Sequence, residues 1–506
     1  TRQRSRPWRR WRRILRRLIR RRHDRRRRRG RQMVGSLLTV LPAFITPLAD
    51  FLCGYPLFIL LIGGGFFLFF YSGMVSLHKL PEAVRELRSK QSRDSGEQIS
   101  SVQALMSVVA ATVGMGNIAG VAIALVMGGP GAIFWMWVSA LVGMSTKFHE
   151  GVLTTRHKHL LPDGRGAGGT MYIIDKGLGQ RWHWLAITFA IAGMLGTLCI
   201  MNANQLTEAM VSAFTTPEWL RGNSLISGIA GGFGWSHESA FRLLVGIGIA
   251  LTVTMVVIGG IRRIARVAQW LVPFMVGLYF LSVVYIIITH ISDVPGVFKS
   301  IFAEAFNLRA GWGALAGIAI IGARRAALVN DAGVGTATIM HGASANRSPV
   351  REGLIAMLGP SIDSGLVCTL TAVALLLCGD FQAVEGVKGL DVAMKAFGNA
   401  IPMGEYLLMV IVLCFSLSSM FSYSFYGNRC AAYLFGEKKA KFYTWFFIAT
   451  LVIFAVIPLG VAIGFCDLFY ALMAFPTMIT LLLLRREVKE EIKIFDENKL
   501  STPLTD

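Results

Sequence analysis

Charge is scarce in this chain and acid scarcer still: 16% of its 506 residues are charged, and only 29 are Asp or Glu. Soluble globular domains average about 25% charged residues, so an ordinary water-facing surface is excluded for most of the length. Proline is sparse as well, with 16 residues, which leaves long stretches free of helix breakers. The seven cysteines, Cys53, Cys199, Cys368, Cys378, Cys414, Cys430 and Cys466, form no CxxC pair and lie mostly within apolar stretches. Neither a disulfide framework nor a zinc site is indicated. No segment groups a nucleophile, a base and an orienting acid, so no enzyme is expected. What fills the chain is apolar: 54% of residues are hydrophobic and the mean hydropathy is +0.55, in runs that recur at the length a bilayer demands. The class is an all-α polytopic membrane protein.

The net charge of +22 is local. Residues 1–31 hold 18 arginines and one acid, Asp24, so 17 of those 22 charges sit in that segment. The run Arg9–Arg22, with Trp8, Trp11, Leu15 and Leu18, suits a basic amphipathic helix on a membrane surface. The competing reading is that translation starts at Met33 and residues 1–32 are not native; nucleic-acid binding is not expected.

Apolar spans are predicted at about 55–75, 101–126, 131–148, 183–207, 242–260, 266–290, 312–328, 353–378, 404–427, 442–464 and 466–484. That is about 11 spans, with 34–52 read as interfacial because Pro42, Pro47 and Asp50 interrupt it. Arg262, Arg263 and Arg266, then Arg324, Arg325, Arg347 and Arg351, then Arg429, Lys438, Lys439 and Lys441, and finally Arg485 and Arg486 fall in alternate connections. By the positive-inside rule these face the cytoplasm, the C-terminus with them. The organisation expected is 1–32 basic segment, 33–100 interfacial segment with the first helix, 101–290 and 291–485 as two five-helix repeats, and 486–506 as a cytoplasmic tail.

The span 101–126 is broken at its centre by Thr112-Val113-Gly114-Met115-Gly116-Asn117-Ile118-Ala119-Gly120. Inside hydrocarbon an unpaired backbone group costs several kcal/mol, so a break survives only where protein, water or a solute satisfies it. The same glycines would also serve close helix packing. A second glycine-rich stretch, Gly311-Trp312-Gly313-Ala314-Leu315-Ala316-Gly317, opens the second half, as expected of an inverted-repeat transporter with two interrupted helices around its substrate. His149-Glu150 and His157-Lys158-His159 are placed in a basic cytoplasmic loop, with no metal expected there.

Residues Val102–Ala124, followed by Gly128-Gly129-Pro130-Gly131-Ala132-Ile133-Phe134-Trp135, resemble the signature of the alanine/glycine:cation symporter family. Further matches are Gly259–Ala268, the Asn330–Thr336 turn, Ile362-Asp363, Val367-Cys368-Thr369 and Ser418-Ser419. The resemblance covers about 50–485. It implies a leucine-transporter-type fold with an inverted 5+5 repeat and one extra preceding helix. It also implies sodium- or proton-driven uptake of a small neutral amino acid such as alanine across a bacterial inner membrane, with no cofactor beyond the coupling ion. Proton coupling, or a transporter-like sensor that binds without translocating, are the alternatives.

A zwitterion needs N–H groups for its carboxylate and oxygens for its ammonium, and helix ends at a break supply both. The expected substrate contacts are Gly114, Met115, Gly116, Asn117, Asn202, Gly311, Trp312 and Gly313. Oxygens of Ala111, Gly114, Ser418 and Ser419 are the expected sodium ligands, and Asp363, Asn330 and Asp331 the coupling or gating residues. Against the family pattern, Met115 replaces Ser or Thr, Asn202 replaces Gln, Thr112 replaces Arg, Asp331 replaces Glu and Asn428 stands where Glu is common. These departures bear on substrate and coupling.

Overall fold

A computed structural model describes residues 51–52, 54–88, 99–161, 166–306, 312–378, 389–457 and 459–501. Helices occupy each of the predicted spans: α1 Tyr55–Tyr71, α2 Ser101–Thr112 with α3 Gly116–Gly128, α4 Gly131–Arg156, α5 His183–Gly196 with α6 Ile200–Phe214, α7 His237–Val257 and α8 Gly260–Thr289. The second half continues with α9 Trp312–Asn330, α10 Thr336–Gly342, α11 Pro349–Cys378, α12 Gly404–Phe435, α13 Glu437–Phe454, α14 Leu459–Leu483 and α15 Arg485–Ser501. Among the described residues six helices are long and apolar enough to cross a bilayer alone, and the pair α2 and α3, bent by 56°, makes a seventh. Helices α4 and α9 stand on predicted spans and carry charges along their length, Lys147 and Glu150 in α4 and Arg324 and Arg325 in α9. The arginine-rich segment 1–32 and the stretch 34–50 lie outside the described residues.

Local sequence sets the ends. Ser100 Oγ accepts the Gln103 N–H while Gln103 Oε1 accepts the Ser100 N–H, a capping box that starts α2 where polarity gives way to an apolar run. Shorter helices, Pro217–Gly222 and Ser224–Phe233, fill the connection between α6 and α7. A two-residue antiparallel pairing, His159–Leu160 with Gly166–Ala167, and a parallel bridge between Ile99 and Ser344 are the extended pairings among the described residues; the antiparallel pairing is the longer. It packs where Gly168 and Gly342 meet backbone to backbone; a Cβ on Gly342 would lie 2.2 Å from Gly168 Cα. Lys158 closes the same corner, donating to Ser344 O at 2.7 Å and Asn346 O at 3.0 Å, while desolvation pulls its ammonium below the usual lysine range.

The centre of the molecule is α12, buried along most of its length, with α2 and α8 against it. Tyr279 of α8 is fully buried, stacks on Phe397 and shares a 2.7 Å hydrogen bond with Thr371 of α11. Large apolar side chains such as Trp270, Phe274, Phe442 and Trp445 point outward instead. In water such a surface would aggregate; facing lipid tails it is the expected exterior.

Three readings of the sequence are corrected. The stretch from Trp312 to Gly317 is helical, and the interruption of the second half lies twenty residues on, at Asp331–Gly335, where Asp331, Gly333 and Gly335 have φ of 51°, 85° and 89°. Gly311 itself lies outside the described residues. Arg324 and Arg325 belong to α9 rather than to a connection, and Arg262, Arg263 and Arg266 to the first turns of α8. His149 and Glu150 are not in a loop: both are fully buried in α4. Helix 183–207 also has an unforeseen interruption, at Thr197–Cys199, where Cys199 takes φ 54°.

Candidate functional site

The interruption between α2 and α3 and the turn that ends α9 face one cavity of about 150 Å³. From the first break it is lined by Ala111, Thr112, Gly114, Met115 and Gly116; from α6 by Met201, Asn202 and Gln205; from the second half by Arg325, Val329 and Asp331. Ala119, Gly120 and Ile123 of α3, Ser419 and Tyr423 of α12, and Cys466, Asp467 and Tyr470 of α14 complete it. Drug-sized sites occupy about 300–1,000 Å³, so this one suits a smaller solute. Gly114 is required by proximity: a Cβ there would stand 2.9 Å from Ser419 Oγ and 3.7 Å from Asn202 Nδ2.

The backbone donors at the break divide. The Gly114 N–H is taken by Asn117 Oδ1 at 2.9 Å and the Asn117 N–H by Gly114 O at 3.2 Å, so neither belongs to an open carboxylate cradle as the sequence suggests. Met115 and Gly116 open the following helix, whose first N–H groups have no intrahelical acceptor. The donors for an anion are theirs. Asn117 is fully buried behind the break, where its Nδ2 donates to Asp363 Oδ1. Asp363 lies on a widened π-turn, Ser361–Val367, of α11 and is fully buried beside Asn117, and its Oδ2 has no hydrogen-bond partner.

Oxygens gather at the foot of the first break. Ser418 Oγ lies 3.0 Å from Ala110 O and Ser419 Oγ 2.9 Å from Ala111 O, and both hydroxyls also reach Phe415 O, at 2.9 and 3.1 Å. Each hydroxyl has one proton for two carbonyls, so lone pairs remain available, and the donor set is all oxygen, as a hard cation prefers. Among the described residues no group of three His, Cys, Asp or Glu side chains is placed to hold a metal.

Two amides of α6 part company: Asn202 lines the cavity, whereas Asn204 Nδ2 turns away and donates to Phe454 O at 3.2 Å. Asn330 is buried beside the site, its Oδ1 accepting the Ala332 N–H at 3.0 Å. Asp331 is both buried and cavity-lining; its Oδ2 accepts from Tyr423 Oη at 2.6 Å and Thr336 Oγ1 at 3.2 Å, and Tyr470 Oη donates on to Tyr423 Oη at 2.5 Å. Trp312 and Gly313 stand in the first turn of α9, and their side chains lie outside the described residues. The sequence reading missed Arg325, Asp467, Tyr423 and Tyr470. Asp467 carried a signal, an acid inside an apolar span; Arg325 carried the same one, obscured by its placement in a connection.

The model of the sodium:alanine symporter family matches residues 38–504. The sodium/alanine symporter AgcS of Methanococcus maripaludis is 35% identical over 461 residues, covering 90% of this chain and 97% of that protein. The amino-acid carrier protein AlsT of Bacillus subtilis is 32% identical over 445 residues, covering 86% and 88%. Among solved structures, MhsT in complex with L-phenylalanine superposes with a TM-score of 0.50 at 15% identity, over 78% of this chain and 100% of that one, a likeness of leucine-transporter-type fold.

Proposed function

Since the chain belongs to the sodium:alanine symporter family, whose members couple an amino acid to a cation, we propose that it imports a small neutral amino acid, alanine or glycine foremost, with sodium as the coupling ion. The observation that carries this reading is the shared cavity: two interrupted helices, one from each half, meet around a space of about 150 Å³. In our reading 101–290 and 291–485 are inverted five-helix repeats, α1 is the additional span, and the C-terminus is cytoplasmic, in the plasma membrane of a bacterium. The amino acid carboxylate is met by the Met115 and Gly116 N–H groups, and its ammonium by Asp331. Asn202 closes the side from α6. Sodium sits among Ala110 O, Ala111 O, Ser418 and Ser419, tying α2 to α12 when loaded. Alternating access then moves the interrupted helices relative to α12 while substrate and ion stay between them.

Proteoliposomes of the 33–506 form with an inward sodium gradient should accumulate radiolabelled alanine or glycine, and potassium in place of sodium should abolish it. Accumulation that ignores sodium but follows a proton gradient would transfer the coupling to Asp363, whose unpartnered Oδ2 favours that second reading. Ser419→Ala removes one ligand oxygen and leaves in place the Met115, Gly116, Asp331 and Asn202 groups proposed to hold the amino acid. The sodium concentration for half-maximal uptake should rise about tenfold, equivalent to ~1.4 kcal/mol; an unchanged value would remove Ser419 from the ion site.

A further inference from the structure

Helix α4 carries two charged side chains that this transport scheme leaves unused. Lys147 and Glu150 lie one turn apart at 1% and 0% exposure, with Lys147 Nζ 3.6 Å from Glu150 Oε2. Neither of those two atoms has a hydrogen-bond partner. The other carboxylate oxygen does: Glu150 Oε1 accepts the Gly333 N–H at 2.8 Å. Burying an ion pair costs several kcal/mol per ion after relaxation and seldom returns that in stability, so stability alone is a weak reason for its presence. Geometry supplies a better one. Gly333 lies inside the second interruption, in a turn where its N–H has lost the helical ladder. The turn is also tightly walled: a Cβ on Gly333 would stand 2.6 Å from Met478 Sδ and 2.8 Å from Leu61 Cδ2. Two residues earlier the same turn presents Asp331 to the cavity.

We propose that Glu150 is a positioning residue for amino acid binding: its carboxylate holds Gly333, and through it the turn that aims Asp331 into the cavity, while Lys147 neutralises Glu150 in the apolar interior. The inference rests on reading the cavity as the amino acid site. Under it, α4 is the rigid support from which the second interruption hangs, and the decisive property of Glu150 is its reach, with charge secondary.

Two variants of the full chain separate reach from charge. Glu150→Asp keeps the charge and its counter-ion but falls one methylene short of Gly333. Lys147→Met combined with Glu150→Gln removes both charges together and keeps an acceptor oxygen at the same reach. Hydrogen–deuterium exchange of the 330–336 segment in detergent and alanine uptake in proteoliposomes are the readouts. Glu150→Asp should exchange at least about tenfold faster in that segment and raise KM for alanine about tenfold or more, with kcat and melting temperature little changed, as a misplacement of about 1 Å can cost a hundredfold. The double variant should keep its protection and a KM within about threefold of the parent, since the acceptor that fixes the turn is retained. Parental exchange in Glu150→Asp overturns the proposal; so does loss of protection in the double variant alone, which would assign the role to charge. If the parent accumulates no alanine, the alanine reading falls, and the exchange comparison alone decides for or against Glu150.

Discussion

Gly116→Leu is expected to reduce uptake by about a hundredfold, equivalent to ~2.7 kcal/mol of lost binding, without loss of folded protein. The direction follows from the first break. A Cβ on Gly116 would lie 3.2 Å from Val329 Cγ2, a contact that the end of a side chain can relieve by a small shift. The rest of a leucine has no such escape, because Gly116 lines a cavity of only about 150 Å³ shared with Met115 and Asn202. Three further carbons would occupy the volume a substrate needs and shield the N–H groups that open α3. Overpacking in a tight interior costs about 1–3 kcal/mol, which the surrounding helices can absorb without unfolding, whereas a filled cavity leaves the proposed substrate no room. The measurement is initial uptake of labelled alanine, paired with gel filtration to show that the variant is monodisperse. A monodisperse variant with parental uptake would place the substrate elsewhere.

Much of the architecture was legible because lipid imposes simple rules. Apolar runs of bilayer length recur at the positions where helices stand, and the glycine-interrupted stretch around Gly114 marks the bend between α2 and α3. The second interruption was legible too, but misplaced. Trp312 to Gly317 is glycine-rich and yet helical, since glycine inside a helix costs only about 1 kcal/mol. What breaks α9 is a pair of glycines, Gly333 and Gly335, held at positive φ by tertiary contacts that no local pattern displays. The partition of donors at the first break was beyond sequence reasoning for a related reason. Asn117 reads as one more cradle residue, and only the folded chain shows its amide spent on Gly114 N–H on one side and Asp363 on the other. Likewise Arg325 and Glu150 read as loop charges because a membrane helix is expected to exclude them. Glu150 is buried in α4 and Arg325 lines the cavity, so the exclusion applies to lipid contact and not to the protein interior.

Asp363→Asn tests whether that interior charge drives transport. Asn117 donates to Asp363 Oδ1 and accepts the Gly114 N–H, so one amide links the carboxylate to the cavity-lining break. An asparagine at 363 can present its own oxygen to Asn117 and preserve that link; what it removes is the negative charge. A fully buried carboxylate with one oxygen unpartnered carries a penalty of several kcal/mol unless a cation or a proton joins it. Were Asp363 only a structural hydrogen-bond acceptor, its neutral isostere would fold at least as stably and transport as before. If Asp363 is the counter-charge for the coupling ion, stability should hold or rise while gradient-driven accumulation of alanine falls about tenfold or more, equivalent to at least ~1.4 kcal/mol of lost coupling. Exchange of labelled for unlabelled alanine at equal concentrations should persist, because it needs the cavity and no net ion movement. Measuring both fluxes under a sodium gradient and then under a proton gradient identifies the ion that Asp363 serves. Full accumulation by Asp363→Asn under both gradients would leave the carboxylate as scaffolding for Asn117 and move coupling entirely to the oxygens around Ser418 and Ser419.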